Sequence, residues 1–241
     1  MAKTENAVVP WDQELAKFAQ AAAAVEAPAV SYLNFRNGVL KYQDTPIPGN
    51  ALNVVVVGQV FENAYYEGRF DPTAPANPVC FAIAEVEDEL EPAEGATKKQ
   101  HDTCAGCPKL EWGSNPTGAG KACKQIRRLA VIPATELETP EKIAKAEVAI
   151  AKLPVTSVKN WSNYVNSIAS TVRRPPFAVI TQLKVEVDPK TQFKVKFAHM
   201  ANLSEEASKA VYARREEVTK MLNVPYAPSE NAPAPNLSKK M

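Results

Sequence analysis

The stretch ALNVVVVGQVFENAYYEG, residues 51–68, holds the run Ala51–Gly58, which is uncharged and mostly apolar. A helix crossing a bilayer needs about 20 such residues, so this run is far too short to span, and its valines fit a pleated strand. The neighbouring segments read the same way. SYLNFRNGVLKYQ, just upstream, carries Asn37-Gly38, a tight-turn dipeptide, so Tyr32–Phe35 and Val39–Tyr42 form a hairpin before the break at DTPIPGN. Downstream, FDPTAPANP is a loop, Val79–Val86 a short apolar strand, and Lys124–Pro133 another strand. Phe177–Val187 and Phe193–Met200 make a hairpin around DPKTQ.

Helices frame these strands. Trp11, Leu15, Phe18 and Ala22 recur at helical spacing over residues 11–25, and Pro28 ends that helix. TPEKIAKAEVAIAKL has Thr139 as a cap and Pro140 at the first helical position, so it starts a helix. In TSVKNWSNYVNSIASTV, Val158, Trp161, Val165 and Ile168 form one apolar stripe, which buries Trp161. A final helix spans Ser204–Leu222, capped by Ser204 with Glu205 and Glu206 in its first turn. The proline-rich end from Pro225 reads as a disordered tail, and there is no internal repeat.

With 241 residues the chain can bury a core without staples. Its 28 basic and 27 acidic residues leave a net charge of +1, so any polyanion must be met by a local patch. The N-terminus lacks a signal-peptide core, which points to the cytoplasm and away from membranes.

All four cysteines fall in one window: Cys80, Cys104, Cys107 and Cys123. In a reducing compartment such clustering argues for a metal rather than disulfides. Cys104 and Cys107 are two residues apart, the spacing at which a tight turn aims two thiolates at one ion. Together the four thiolates complete a tetrahedral zinc site, and Cys80 and Cys123 would tie the intervening loop to the sheet. Two other ligand arrangements stay open. His101 competes with Cys80 as the fourth zinc ligand, and a [4Fe–4S] cluster takes the same four thiolates, with Cys107-Pro108 as a hint. The bland alternative is four unligated thiols.

The metal reads as structural. The chain has only His101 and His199, no HExxH, no deaminase signature and no nucleophile–base pair, so no enzyme is expected. The acidic run Glu85–Glu94 fits a solvated loop, and GAGK lacks the rest of a phosphate-binding loop.

Around the cysteines lie Lys109, Trp112, Lys121, Lys124, Arg127 and Arg128, with glycines that let backbone N–H groups approach a ligand. Cations beside an exposed aromatic suit a sugar–phosphate backbone and a stacked base. Strand alternation sends Arg127 and Arg128 to opposite faces. Arg173 and Arg174 add a second positive point, and of the adjacent Tyr65 and Tyr66 one is exposed. The bland reading of these cations is a solvated loop.

A short β-rich domain interrupted by the Cys104-x-x-Cys107 loop, with Cys80, Cys123 or His101 and basic flanks, resembles the zinc-containing single-stranded DNA-binding proteins of tailed bacteriophages. The resemblance covers about residues 30–200. It implies an α+β fold, an OB-like antiparallel β-barrel with an inserted metal-binding loop and peripheral helices. On that plan residues 1–29 are an N-terminal helix, 30–224 the OB-like domain with its metal loop at 80–123, and 225–241 a disordered tail. It also implies single-stranded DNA as partner, in replication or recombination with other proteins of those processes. One departure is the C-terminus, NLSKKM, basic where those proteins are acidic. An iron–sulfur redox or regulatory protein, or an adaptor docking through the metal loop, are the alternatives.

Overall fold

The computed structural model describes residues 31–42, 44–68 and 76–226, together with Trp11, Glu14, Leu15, Lys17 and Phe18, which are helical. The rest of the expected N-terminal helix and residues 227–241 of the expected tail lie outside the described residues.

Among the described residues nine strands form one sheet: β1 (Ser31–Asn34), β2 (Lys41–Tyr42), β3 (Thr45–Pro46), β4 (Ala51–Tyr65), β5 (Cys80–Ala84), β6 (Lys124–Pro133), β7 (Ala149–Leu153), β8 (Val179–Asp188) and β9 (Gln192–Asn202). Their order is β3-β2-β1-β7-β6-β4-β8-β9, with β5 also on β4. Within residues 31–226, four α-helices accompany them: α1 (Pro140–Lys145), α2 (Val155–Thr171), α3 (Glu205–Ala213) and α4 (Arg215–Leu222). The architecture is mixed α+β, built on a strongly curled sheet that makes a half-barrel. No helix among the described residues is long and apolar enough to cross a membrane.

The valine run is the spine. β4 pairs with β6 along one edge, while its other edge takes β8 at Ala51–Val54 and β5 at Phe61–Tyr65. A bulge at Val57 shifts the register between Val56 and Gly58. Val54 and Val56 therefore face one core, and Val55, Val57 and Val60 the other. Both faces of β4 are covered, which is why it reads as a continuous apolar run rather than an alternating one.

The first core gathers Leu33, Phe35 and Leu40 from one end of the sheet with Val185 and Val195 from the other, all around Trp161, Tyr164 and Ile168 of α2. The sheet thus curls about α2. Trp161 is buried, and its indole N–H donates to Gln59 Oε1 at 2.6 Å. Ser157 and Asn160 of α2 bond the backbone N–H and carbonyl of Val195. The second core lies on the other face, under α1, α3 and α4. There α4 comes close enough that a Cβ on Gly58 would meet Val218 and Leu222 at 3.4 and 3.6 Å.

Three expectations change. The segment from Thr139 does start a helix, capped by Thr139 Oγ accepting from Lys142 N–H, but it ends at Lys145. Residues 149–153 become β7 between β1 and β6, because Ala149, Ile150, Ala151 and Leu153 bury both faces, and sheet pairing outweighs alanine's helix preference. The sheet is not wholly antiparallel, since β1 and β7 run parallel. The final helix is two, broken at Arg214, whose guanidinium donates to the carbonyls of Ile143 and Ala146.

Candidate functional site

The far end of β4 collects the cysteines. Cys80 opens β5 opposite Tyr65, and Cys123 precedes Lys124, the partner of Ala64 on the other side. Between them the chain runs back past β5, where Ala93 N–H bonds Phe81 O and Lys98 N–H bonds Val79 O, both at 2.8 Å. It then turns through Cys104–Cys107, where Cys107 N–H reaches Cys104 O at 3.2 Å. A short 3-10 turn, Pro108–Leu110, follows, and Cys123 N–H bonds Lys109 O at 2.9 Å, closing the loop. Beyond it a tongue folds on itself, with Gly113 N–H bonded to Gly120 O at 2.9 Å. Gly113, Gly118 and Gly120 all have positive φ, open to glycine without strain.

Cys80, Cys107 and Cys123 are buried and Cys104 is half-buried; all four thiols are free. They share one neighbourhood. Burial pushes the Cys123 thiol up to about 12, helped by Cys104, Cys107 and Cys80, while a hydrogen bond to the Ala64 backbone works the other way. Burial likewise raises Cys104, offset by a hydrogen bond with Asn63 and reinforced by Cys80 and Cys107. Four mutually destabilising thiolates in a desolvated spot are the donor set that a cation would neutralise. They do not form a finished shell: no group of three or more His, Cys, Asp or Glu among the described residues is arranged to hold a metal ion. His101 is exposed, its Nδ1 within 3.0 Å of Thr103 O in its own turn.

The expected nucleic-acid residues divide sharply. Trp112 is 81% exposed on the loop. Lys109 Nζ lies 5.1 Å above the half-buried Tyr65 ring, Lys121 Nζ donates to Gln125 Oε1 at 2.6 Å, and Lys124 Nζ to Lys121 O at 3.0 Å. Tyr66 is exposed. Lys109, Tyr65, Lys121 and Lys124 lie at the cysteine end of β4, while Tyr66 points to the opposite face from Tyr65.

Arg127 and Arg128 do point to opposite faces, but both are buried, which corrects their placement in a polyanion-binding surface. Arg127 packs 3.5 Å over the Phe61 ring and pairs with Glu87 at 3.6 Å. Arg128 is ion-paired with fully buried Glu62 and donates to the carbonyls of Leu222 and Val224 at 3.0 and 2.8 Å. Both side chains are turned away from the solvent from which a phosphate would approach. Arg173 is exposed in the turn after α2 with φ 54°, and Arg174 donates to Leu203 O at 3.2 Å. That turn leads into β8, which borders the opposite end of β4 from the cysteines.

Glu62, Lys152 and Tyr226 were not expected from the sequence. Glu62 also accepts from the Tyr226 hydroxyl and lies 3.6 Å from Lys152 Nζ, which itself bonds the Tyr226 hydroxyl at 3.1 Å. Tyr226, assigned to the tail, is docked on the sheet against Phe81 and hydrogen-bonded to Tyr66. The signal was present in Glu62, the one charged residue of a long strand whose neighbours are mostly apolar, which requires a partner if it is buried.

No protein-family model matches the chain, and no curated protein and no solved structure is similar to it.

Proposed function

We propose that the chain binds single-stranded nucleic acid, single-stranded DNA in replication or recombination, through the exposed tongue and its surroundings. The observation that carries this is the fully presented Trp112 on the same short stretch of chain as Lys109, Lys121 and Lys124. An exposed indole offers a face to any base, and the lysines meet the backbone charge. The curled sheet acts in this reading as an OB-like platform behind the loop.

The loop's staple is a structural metal held by Cys80, Cys104, Cys107 and Cys123. Support comes from the convergence of four thiols from β5, the loop and the start of β6. The bound ion would lock the thiolate form and fix the approach of the tongue. Zinc fits four thiolates without redox chemistry, and a [4Fe–4S] cluster takes the same set and would colour the protein. The exposed His101, engaged with Thr103, is left out of the ligand set.

The test is tryptophan fluorescence in a Trp11→Phe background, where the emitters are Trp112 and buried Trp161. Adding single-stranded oligonucleotide at several salt concentrations should quench emission with an affinity that falls as salt rises. A flat response at every salt concentration overturns the reading.

A further inference from the structure

We propose that the bound strand continues across the sheet and seats a base in the cleft beyond the ends of β1 and β7, stacked on Tyr32 with its phosphate drawn to Lys152. This deepens the reading above and rests on it for the identity of the polymer.

The cleft follows from the one parallel pair. β1 and β7 end side by side, after which the chain departs through the turn Arg36–Gly38 on one side and through Pro154 into α2 on the other. Diverging connections beyond the carboxyl ends of parallel strands leave a crevice. Here it is a cleft of about 490 Å³, lined by Tyr32, Asn34, Phe35, Lys152, Pro154 and Phe193 among others. That volume lies within the range of small-molecule sites. Tyr32 is 45% exposed at its rim, although it sits on a strand inside the sheet. Asn34 supplies an amide of the type that reads base edges.

Lys152 leads from this cleft to Tyr66, at the end of β4 that carries the tongue but on the face opposite Lys109 and Tyr65. Its ammonium lies 4.3 Å over the Tyr226 ring and bonds the Tyr226 hydroxyl, which in turn bonds Tyr66. The charges favour a phosphate, since Glu62 is matched by Arg128 and the ammonium of Lys152 leaves this group one positive charge in surplus. From β4 to β1 the path crosses β6 and β7, three interstrand steps or about 14 Å. A few nucleotides cover that span, in keeping with the ~4–16 nucleotides bound per fold by such proteins.

The experiment is NMR shift mapping with two probes, thymidine 5′-monophosphate and an oligothymidylate of about 12 nucleotides. Both should shift Tyr32 and Lys152, and the oligomer should shift Trp112 as well. Tyr32→Ala should weaken oligomer binding roughly 5- to 150-fold, the value of one base stack, while Tyr32→Phe keeps it. Oligomer shifts at Trp112 with Tyr32 and Lys152 silent overturn the cleft and leave the loop reading standing. Monophosphate shifts in the cleft with Trp112 silent to the oligomer support the cleft and sink the loop reading. Silence at both sites under both probes removes the two together.

Discussion

Arg128 on β6 and Glu62 on β4 form a buried ion pair at the centre of the sheet, and through it the last turn of α4 is fastened to the strands. Glu62 is wholly inaccessible and Arg128 nearly so, so neither charge has water to fall back on. Removing one partner strands the other. Glu62→Ala should cost about 3–5 kcal/mol in urea unfolding, because Arg128 and Lys152 then lack their counter-charge. Replacing Glu62 and Arg128 together by leucine should cost less than Glu62→Ala alone. Equal costs would mean that the pair is not coupled.

Tyr226 adds a pH dependence. Burial, and then the negative Glu62, raise its phenol above the ordinary 10.0. The folded chain holds that proton more tightly than the unfolded chain, so the stabilisation is complete below pH 10 and is lost as pH climbs above it. Melting temperature measured from pH 8 to beyond 11 should fall more steeply in the native protein than in Tyr226→Phe, which has no such proton to lose. Parallel curves would refute the coupling.

Much of the fold was legible because single segments carried their own signals. The Asn37-Gly38 turn, the valine spine and the apolar stripe of α2 all appear where local pattern placed them. What escaped depended on partners distant in sequence. Ala149–Leu153 is alanine-rich and continues a helical start, and only pairing with Tyr32 on one side and Leu129 on the other makes it a strand. Arg127 and Arg128 look like surface cations in a row of basic residues, and nothing local reveals that Glu87 and Glu62 await them. Proline-rich composition hid Tyr226 for the same reason, since its hydroxyl partner lies 164 residues away.

The burial difference separates two sets of variants. Trp112→Ala removes an exposed ring and should leave unfolding unchanged while weakening single-strand binding by about 1–3 kcal/mol. Arg127→Ala, by contrast, uncovers the Phe61 ring and should act on stability first. Lys121→Ala and Lys124→Ala should each flatten the plot of log affinity against log salt by about 0.7 if each meets one phosphate. Calorimetric or fluorescence titrations at matched salt, alongside urea curves, tell the sets apart. Loss of affinity in Arg127→Ala at full stability would return that side chain to the binding surface.

Metal content is the remaining lever. If Cys80, Cys104, Cys107 and Cys123 hold one ion, elemental analysis of the purified protein should find about one zinc per chain, or about four irons together with visible absorption. The two cores contain none of these cysteines, so stripping the ion should loosen the loop without unfolding the sheet. Trypsin after chelation should then cut at Lys109 and Lys121, which the loop's hydrogen bonds otherwise protect, while the β4–β6 pairing survives as a resistant fragment. Cys123→Ser should reproduce this pattern with the ion already lost, because a serine hydroxyl does not supply the thiolate that zinc binds. Protein that carries neither zinc nor iron when isolated without chelators, and resists trypsin equally with and without them, would show that the loop is held by its hydrogen bonds alone.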